Sequence, residues 1–216
     1  LGELINLSKS VKVLIDHHLD PVKFYDIEYH NSNASATAEL IYELIEMINI
    51  DFLDKDIADC LYTGILTDTG SFKFSSTSSK VHRIVADLID RGVDSSNVNG
   101  LIYDTNSLNR LKLIGFSLSQ KLKLIGNNKA AFIVLTKDDL LKFKFEKGDT
   151  EGLVNYALSI MGVNMATLIV ETRDKIKFSF RSVGNFSVND FAKQNFNGGG
   201  HKNAAGGSLE DKLSVA

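Results

Sequence analysis

The chain has 216 residues, with 44% hydrophobic and 24% charged content, which suits one large or two small packed cores and excludes a disordered or fibrous chain. No apolar run is long enough to cross a bilayer, no secretory leader pattern stands at Leu1-Gly2-Glu3, and the single cysteine, Cys60, excludes an internal disulfide and a cysteine-rich zinc centre, so the expected setting is cytoplasmic with no membrane partner. The net charge of −3 divides into 10 Lys+Arg against 17 Asp+Glu over residues 1–120 and 14 against 10 over residues 121–216. The first part suits cations and the second phosphates, or both are ordinary solvated surfaces; neither is basic enough for tight binding of long duplex nucleic acid.

The run Val11-Lys12-Val13-Leu14-Ile15 predicts a buried strand that ends at Asp16-His17-His18. Open α/β sheets place ligands outside the carboxyl ends of parallel strands, so one imidazole could reach a metal and the other a substrate oxygen. The alternative is a histidine pair satisfied by local hydrogen bonds. Helical spacing follows over residues 36–48, with Ser35 as the expected N-cap, and again from Lys55 to about Thr67, with Gly70 as the stop. Asp68 then stands near a helix C-terminus, where the macrodipole disfavours a carboxylate; a divalent cation would compensate, as would a hydrogen-bonded turn through Thr67 or Thr69. A third helix is expected from Ser79 to Arg91, ended by Gly92, and a longer connector helix from Ser107 to about Leu124, broken by Gly126-Asn127-Asn128.

The pattern then changes. Residues 130–135 read as a strand, 151–160 as a helix, and 165–171 and 175–182 as strands joined by a short hairpin at Thr172-Arg173-Asp174. Gly198-Gly199-Gly200-His201 could turn backbone N–H groups toward an anion, with His201 and Arg181 as further donors; the alternative is a surface loop, although the small residues after His201 favour close packing.

Taken in order, Val13–His18, Leu61–Gly70, Glu151–Tyr156, Phe178–Ser182 and Gly198–Gly206 resemble a DHH-family phosphoesterase with its DHH-associated C-terminal domain, over nearly the whole chain. The most similar branch is the bacterial one that degrades very short RNA and dephosphorylates 3′-phosphoadenosine 5′-phosphate. The resemblance implies an α/β fold: a parallel-sheet DHH domain over residues 1–106, a connector helix over 107–126, and a smaller α+β domain with a mixed sheet over 127–216. It implies His17 and Asp68 as metal ligands, His18 and Asp16 as catalytic groups, and Arg181, Ser182, Gly198, Gly199, Gly200 and His201 as substrate-binding residues. The implied cofactor is Mn²⁺, in a two-metal site in the full-length protein. The implied partner is short RNA or a nucleoside bisphosphate in the cleft between domains, with a homodimer as a further possibility.

Family members carry two earlier acidic motifs. This chain opens on Leu1-Gly2-Glu3-Leu4, which resembles the segment after the second of them, and none of Asp20, Asp26 or Asp51 stands in a matching context. The expectation is therefore a fragment, weakly active or inert, of a parent enzyme. Alternatives are a non-catalytic nucleotide-binding module, or a cyclic-dinucleotide phosphodiesterase, exopolyphosphatase or single-strand exonuclease on the same core. Tyr103, Asn106 and Arg110 read as substrate contacts or as connector-helix surface.

Overall fold

The computed structural model describes residues 2–19 and 21–210, so the readings placed on Leu1 and Asp20 lie outside the described residues. Two compact units form, Leu1–Thr105 and Asn106–Ala216. The fold is mixed α/β, with a small parallel sheet in the first unit and a larger mixed sheet in the second.

In the first unit α1 (Gly2–Leu7) precedes β1 (Val13–Asp16) and β2 (Ile27–His30). The strands pair in parallel, with Val13 opposite Ile27 and Asp16 opposite His30. β1 starts two residues later than the apolar run, because the Lys12 N–H turns to the Asp26 carboxylate at 2.8 Å. Four helices follow: α2 (Thr37–Ile48), α3 (Lys55–Asp68), α4 (Ser79–Asp90) and α5 (Ser95–Tyr103). Their apolar faces close a core around Leu61, Ile65, Val81 and Leu88. Asp54 and Ser78 cap α3 and α4 through N–H groups three residues on. Ser35 does not cap α2. Ala36 occupies that position, and the Ser35 N–H and hydroxyl donate instead to Glu39 Oε2, at 2.7 and 2.9 Å.

In the second unit α6 (Leu108–Phe116) ends in a wide turn over Ser117–Lys121, and β3 (Leu122–Ile125) begins where the sequence predicted more helix. The difference has a local cause. Gly126, Asn127 and Asn128 all take φ between 53° and 63°, a left-handed turn that folds β3 back on β4 (Ala130–Leu135) as a hairpin. Then come α7 (Lys137–Lys142), α8 (Leu153–Leu158), β5 (Met165–Glu171), β6 (Ile176–Ser182), α9 (Val188–Asn195), β7 (Gly199–His201) and β8 (Ala204–Leu209). The sheet order is β3-β4-β5-β6-β8-β7, with β4 and β5 parallel and the other neighbours antiparallel.

Strand alternation gives the sheet two different faces. Ile133, Leu135, Ala166 and Leu168 are buried against Leu113, Leu153 and Ala157, whereas Phe178, Phe180 and Ala205 pack on Val188, Ala192 and Phe196. Among the described residues no helix is long and apolar enough to cross a membrane.

Asp139 anchors the start of α7. Its carboxylate accepts from the Thr136 N–H and hydroxyl and lies 2.7 Å from Lys121 Nζ. Burial alone would raise its pKa, but the bonds from Lys121 and Thr136 outweigh that and hold it below the ordinary 3.8. A lowered carboxyl contributes stability that is present above 3.8 and lost as the pH falls through the folded value. Asp139→Ala is therefore expected to cost about 2 kcal/mol at neutral pH, from lost capping and an unpaired Lys121. Urea midpoints of wild type and variant should converge as the solution is acidified below that point.

Candidate metal and phosphate site

The turn after β1 carries the DHH residues, and the chain around it fixes their rings. His17 is only 5% exposed, with Nδ1 3.2 Å from the Ala34 carbonyl. A carbonyl only accepts, so Nδ1 bears a hydrogen and Nε2 is the ring nitrogen left to serve as a ligand atom. Nε2 lies 3.5 Å from Asp68 Oδ2, on the last residue of α3, whose side chain is 46% exposed. Two ligand atoms at that separation can both reach one cation at about 2.1 Å. The buried glutamate Glu39 holds Ser35, the residue after Ala34, so an ordered chain of contacts stands behind the His17 ring.

His18 is oriented differently. Its Nδ1 lies 2.7 Å from Asp16 Oδ1, and its backbone N–H donates to the same oxygen at 3.1 Å. Burial would raise the Asp16 carboxyl, but the hydrogen bonds from the His18 ring and from the His18 and His17 backbone hold it below its usual value. An ionised Asp16 accepts, so Nδ1 of His18 is a donor and Asp16 is its orienting partner. The strand register also brings in His30, beside Asp16, whose Nε2 lies 2.7 Å from the His18 carbonyl. The sequence reading missed His30. Its only signal was the weak alternation of the four-residue β2, and only register with β1 reveals it.

In the second unit the glycine run forms an edge strand where a loop was expected. Gly199–His201 is β7, hairpinned to β8, and the Gly200 N–H is taken by Asn189 Oδ1 at 2.9 Å. The glycines serve close backbone approach: a Cβ on Gly198 would lie 1.9 Å from the Gly206 carbonyl oxygen, and one on Gly200 2.5 Å from that of Ala204. Ser182 is buried and its hydroxyl is engaged twice, donating to the Phe186 carbonyl at 2.7 Å and accepting from Asn203 Nδ2 at 2.9 Å. It braces the chain between β6 and α9.

Arg181 is the group in this unit best suited to an anion. Register sets Arg181 opposite Ala204 and Ala204 opposite His201, so the three stand in one row across β6, β8 and β7. Burial pushes the Arg181 guanidinium down from its ordinary pKa; it donates to the Phe180 carbonyl at 2.9 Å, and among the described residues it makes no ion pair. A desolvated, uncompensated guanidinium favours an anionic ligand. Arg110, by contrast, ties α6 to the Glu151 carbonyl at 3.1 Å.

Comparison with known proteins finds family matches in each of the two units. Residues 2–65 match the DHH family, N-terminal domain, and residues 127–216 match the DHHA1 domain. The chain carries a DHH-family N-terminal domain and a DHHA1 domain. It is 35% identical, over 90% of its length, to the Bifunctional oligoribonuclease and PAP phosphatase NrnA of Bacillus subtilis, of which it covers 61%. It is 29% identical, over 91% of its length, to the protein of the same name from Thermus thermophilus, of which it covers 58%. A crystal structure of an exopolyphosphatase-related protein from Bacteroides fragilis superposes with a TM-score of 0.90 at 38% identity, covering 98% of this chain and 62% of that one. The chain thus spans about 60% of the length of these relatives.

Proposed function

We propose that this DHH-family chain carries the histidine half of a Mn²⁺-dependent phosphohydrolase that cleaves short oligoribonucleotides or 3′-phosphoadenosine 5′-phosphate and releases nucleoside monophosphate. The observation that carries the reading is the His17 ring, held at Nδ1 by the Ala34 carbonyl, with Nε2 3.5 Å from Asp68 Oδ2. An imidazole nitrogen and a carboxylate oxygen fit a divalent cation of intermediate hardness. The similarity to two proteins named as oligoribonuclease and PAP phosphatase supports the substrate class.

His17 and Asp68 would hold the cation, which supplies Lewis-acid polarisation of the phosphoryl group and an activated water. His18, held at Nδ1 by Asp16, would donate from Nε2 to a phosphoryl or leaving oxygen as the imidazolium, with Asp16 fixing the ring as an acid fixes a catalytic imidazole. In the second unit, considered by itself, the Arg181 guanidinium offers a fork suited to a phosphate. A second reading, exopolyphosphatase, has a specific observation in its favour, the superposition on the Bacteroides fragilis protein.

One substrate panel separates the two. The full-length protein with Mn²⁺ is offered 5′-phosphorylated diadenylate, 3′-phosphoadenosine 5′-phosphate and tripolyphosphate, with EDTA controls. The expected result is AMP from the first two at least tenfold faster than phosphate from tripolyphosphate, with EDTA abolishing all turnover. Faster release from tripolyphosphate would transfer the assignment to the second reading.

A further inference from the structure

The four residues after the Asp68–Thr69 pair form an uncommon turn. Gly70, Ser71 and Phe72 take φ of 58°, 60° and 63° in succession, and a bulky phenylalanine in the left-handed region is a strained choice. The surroundings enforce it. Thr69 is fully buried; its hydroxyl donates to the Ile65 carbonyl at 2.7 Å and accepts from the Phe72 N–H at 3.0 Å. Phe72 turns inward, its ring 5.6 Å from that of His82.

The outcome of this strain is on the surface. The Phe74 N–H bonds the Thr69 carbonyl at 3.0 Å, and its ring lies directly on Gly70, where a Cβ would come within 2.6 Å of it. Phe74 is nevertheless 48% exposed. Tyr103, at the end of α5 and 41% exposed, is tied to the same turn: the Ser71 hydroxyl donates to the Tyr103 hydroxyl oxygen at 3.0 Å. One half-exposed ring is therefore held on a turn that begins two residues after the proposed metal ligand, and a second is hydrogen-bonded to that turn.

We propose that Phe74, supported by the Ser71–Tyr103 contact, is a stacking platform for the base of a nucleotide whose phosphate is held at His17 and Asp68. The proposal deepens the phosphohydrolase reading and rests on it. A base presents a flat π-face that stacks on an aromatic ring irrespective of its identity, so the platform selects nucleotides over inorganic polyphosphates without selecting among bases. The strained turn places the ring in advance, so little ordering is needed when the ligand arrives.

Calorimetric titration of the full-length protein with AMP and with inorganic pyrophosphate, each with Mn²⁺, tests this. Phe74→Leu keeps apolar volume without the π-face and should weaken AMP about tenfold while shifting pyrophosphate less than twofold; Phe74→Trp should restore AMP binding. Phe52→Ala, at a 61% exposed ring on a different segment of the same unit, should leave both unchanged. Equal AMP affinity in Phe74→Leu and wild type, or parallel loss of pyrophosphate, would overturn the platform alone. Wild-type protein that binds neither ligand would overturn the phosphohydrolase reading and the platform with it.

Discussion

His17→Asn should lower Mn²⁺-dependent kcat/KM by about 1000-fold, near 4 kcal/mol of transition-state stabilisation, while the protein stays folded. Asparagine is the informative replacement because its amide N–H₂ can still donate toward the Ala34 carbonyl, now served by Nδ1 at 3.2 Å. What it removes is the Nε2 ligand atom that stands 3.5 Å from Asp68 Oδ2. His17→Ala would confound the experiment, since it opens a cavity at a 5% exposed position and orphans a carbonyl. Asp68→Asn should cause a comparable loss. If the two side chains share one cation, the double variant should lose scarcely more than either single one, because the second change removes a ligand from a site already emptied. Rates measured against Mn²⁺ concentration, with direct Mn²⁺ binding by paramagnetic resonance, supply the check. Unchanged Mn²⁺-dependent turnover in His17→Asn would remove His17 from the metal site, and strictly additive losses would separate the two residues.

The legible parts of the site and the illegible ones divide on a physical line. Asp16, His17 and Asp68 stand at ends of elements with strong periodic signals, the run before Asp16 and the apolar stripe of α3, so their positions follow from the local pattern. The carbonyl of Ala34 and the imidazole of His30 reach the histidine pair only through pairing of β1 with β2 and through the Glu39–Ser35 contact, and neither shows in the periodicity of its own segment. The end of the helix after Ser107 was misplaced because Leu122–Ile125 continues an apolar spacing that suits helix and strand alike; the three left-handed residues after it decide for the hairpin. The glycine run departs most from the loop expected of it. Consecutive glycines admit both a loop that approaches an anion and a strand that approaches another backbone, and composition does not distinguish them. The cross-strand partners do, and they lie four to eight residues further along the chain.

That last distinction has a measurable consequence. Gly198→Ala should destabilise the chain by about 3 kcal/mol or more, because the added methyl meets a main-chain oxygen at 1.9 Å and not the movable end of a side chain. Gly200→Ala should be of similar size: its Cβ would approach the Ala204 oxygen at 2.5 Å, and its φ of 151° is a conformation that alanine resists. Gly115→Ala supplies the contrast. It lies within α6 with nothing inside 4 Å of the new methyl, so helix propensity alone predicts a gain of about 0.8 kcal/mol. Urea unfolding followed by far-ultraviolet circular dichroism would rank the three. Had the run been a phosphate loop, Gly198→Ala would leave the midpoint near wild type and weaken an anion such as pyrophosphate instead. A steric origin puts the loss in stability first, and Arg181, one strand beyond β8, remains the group through which this unit would attract a phosphate.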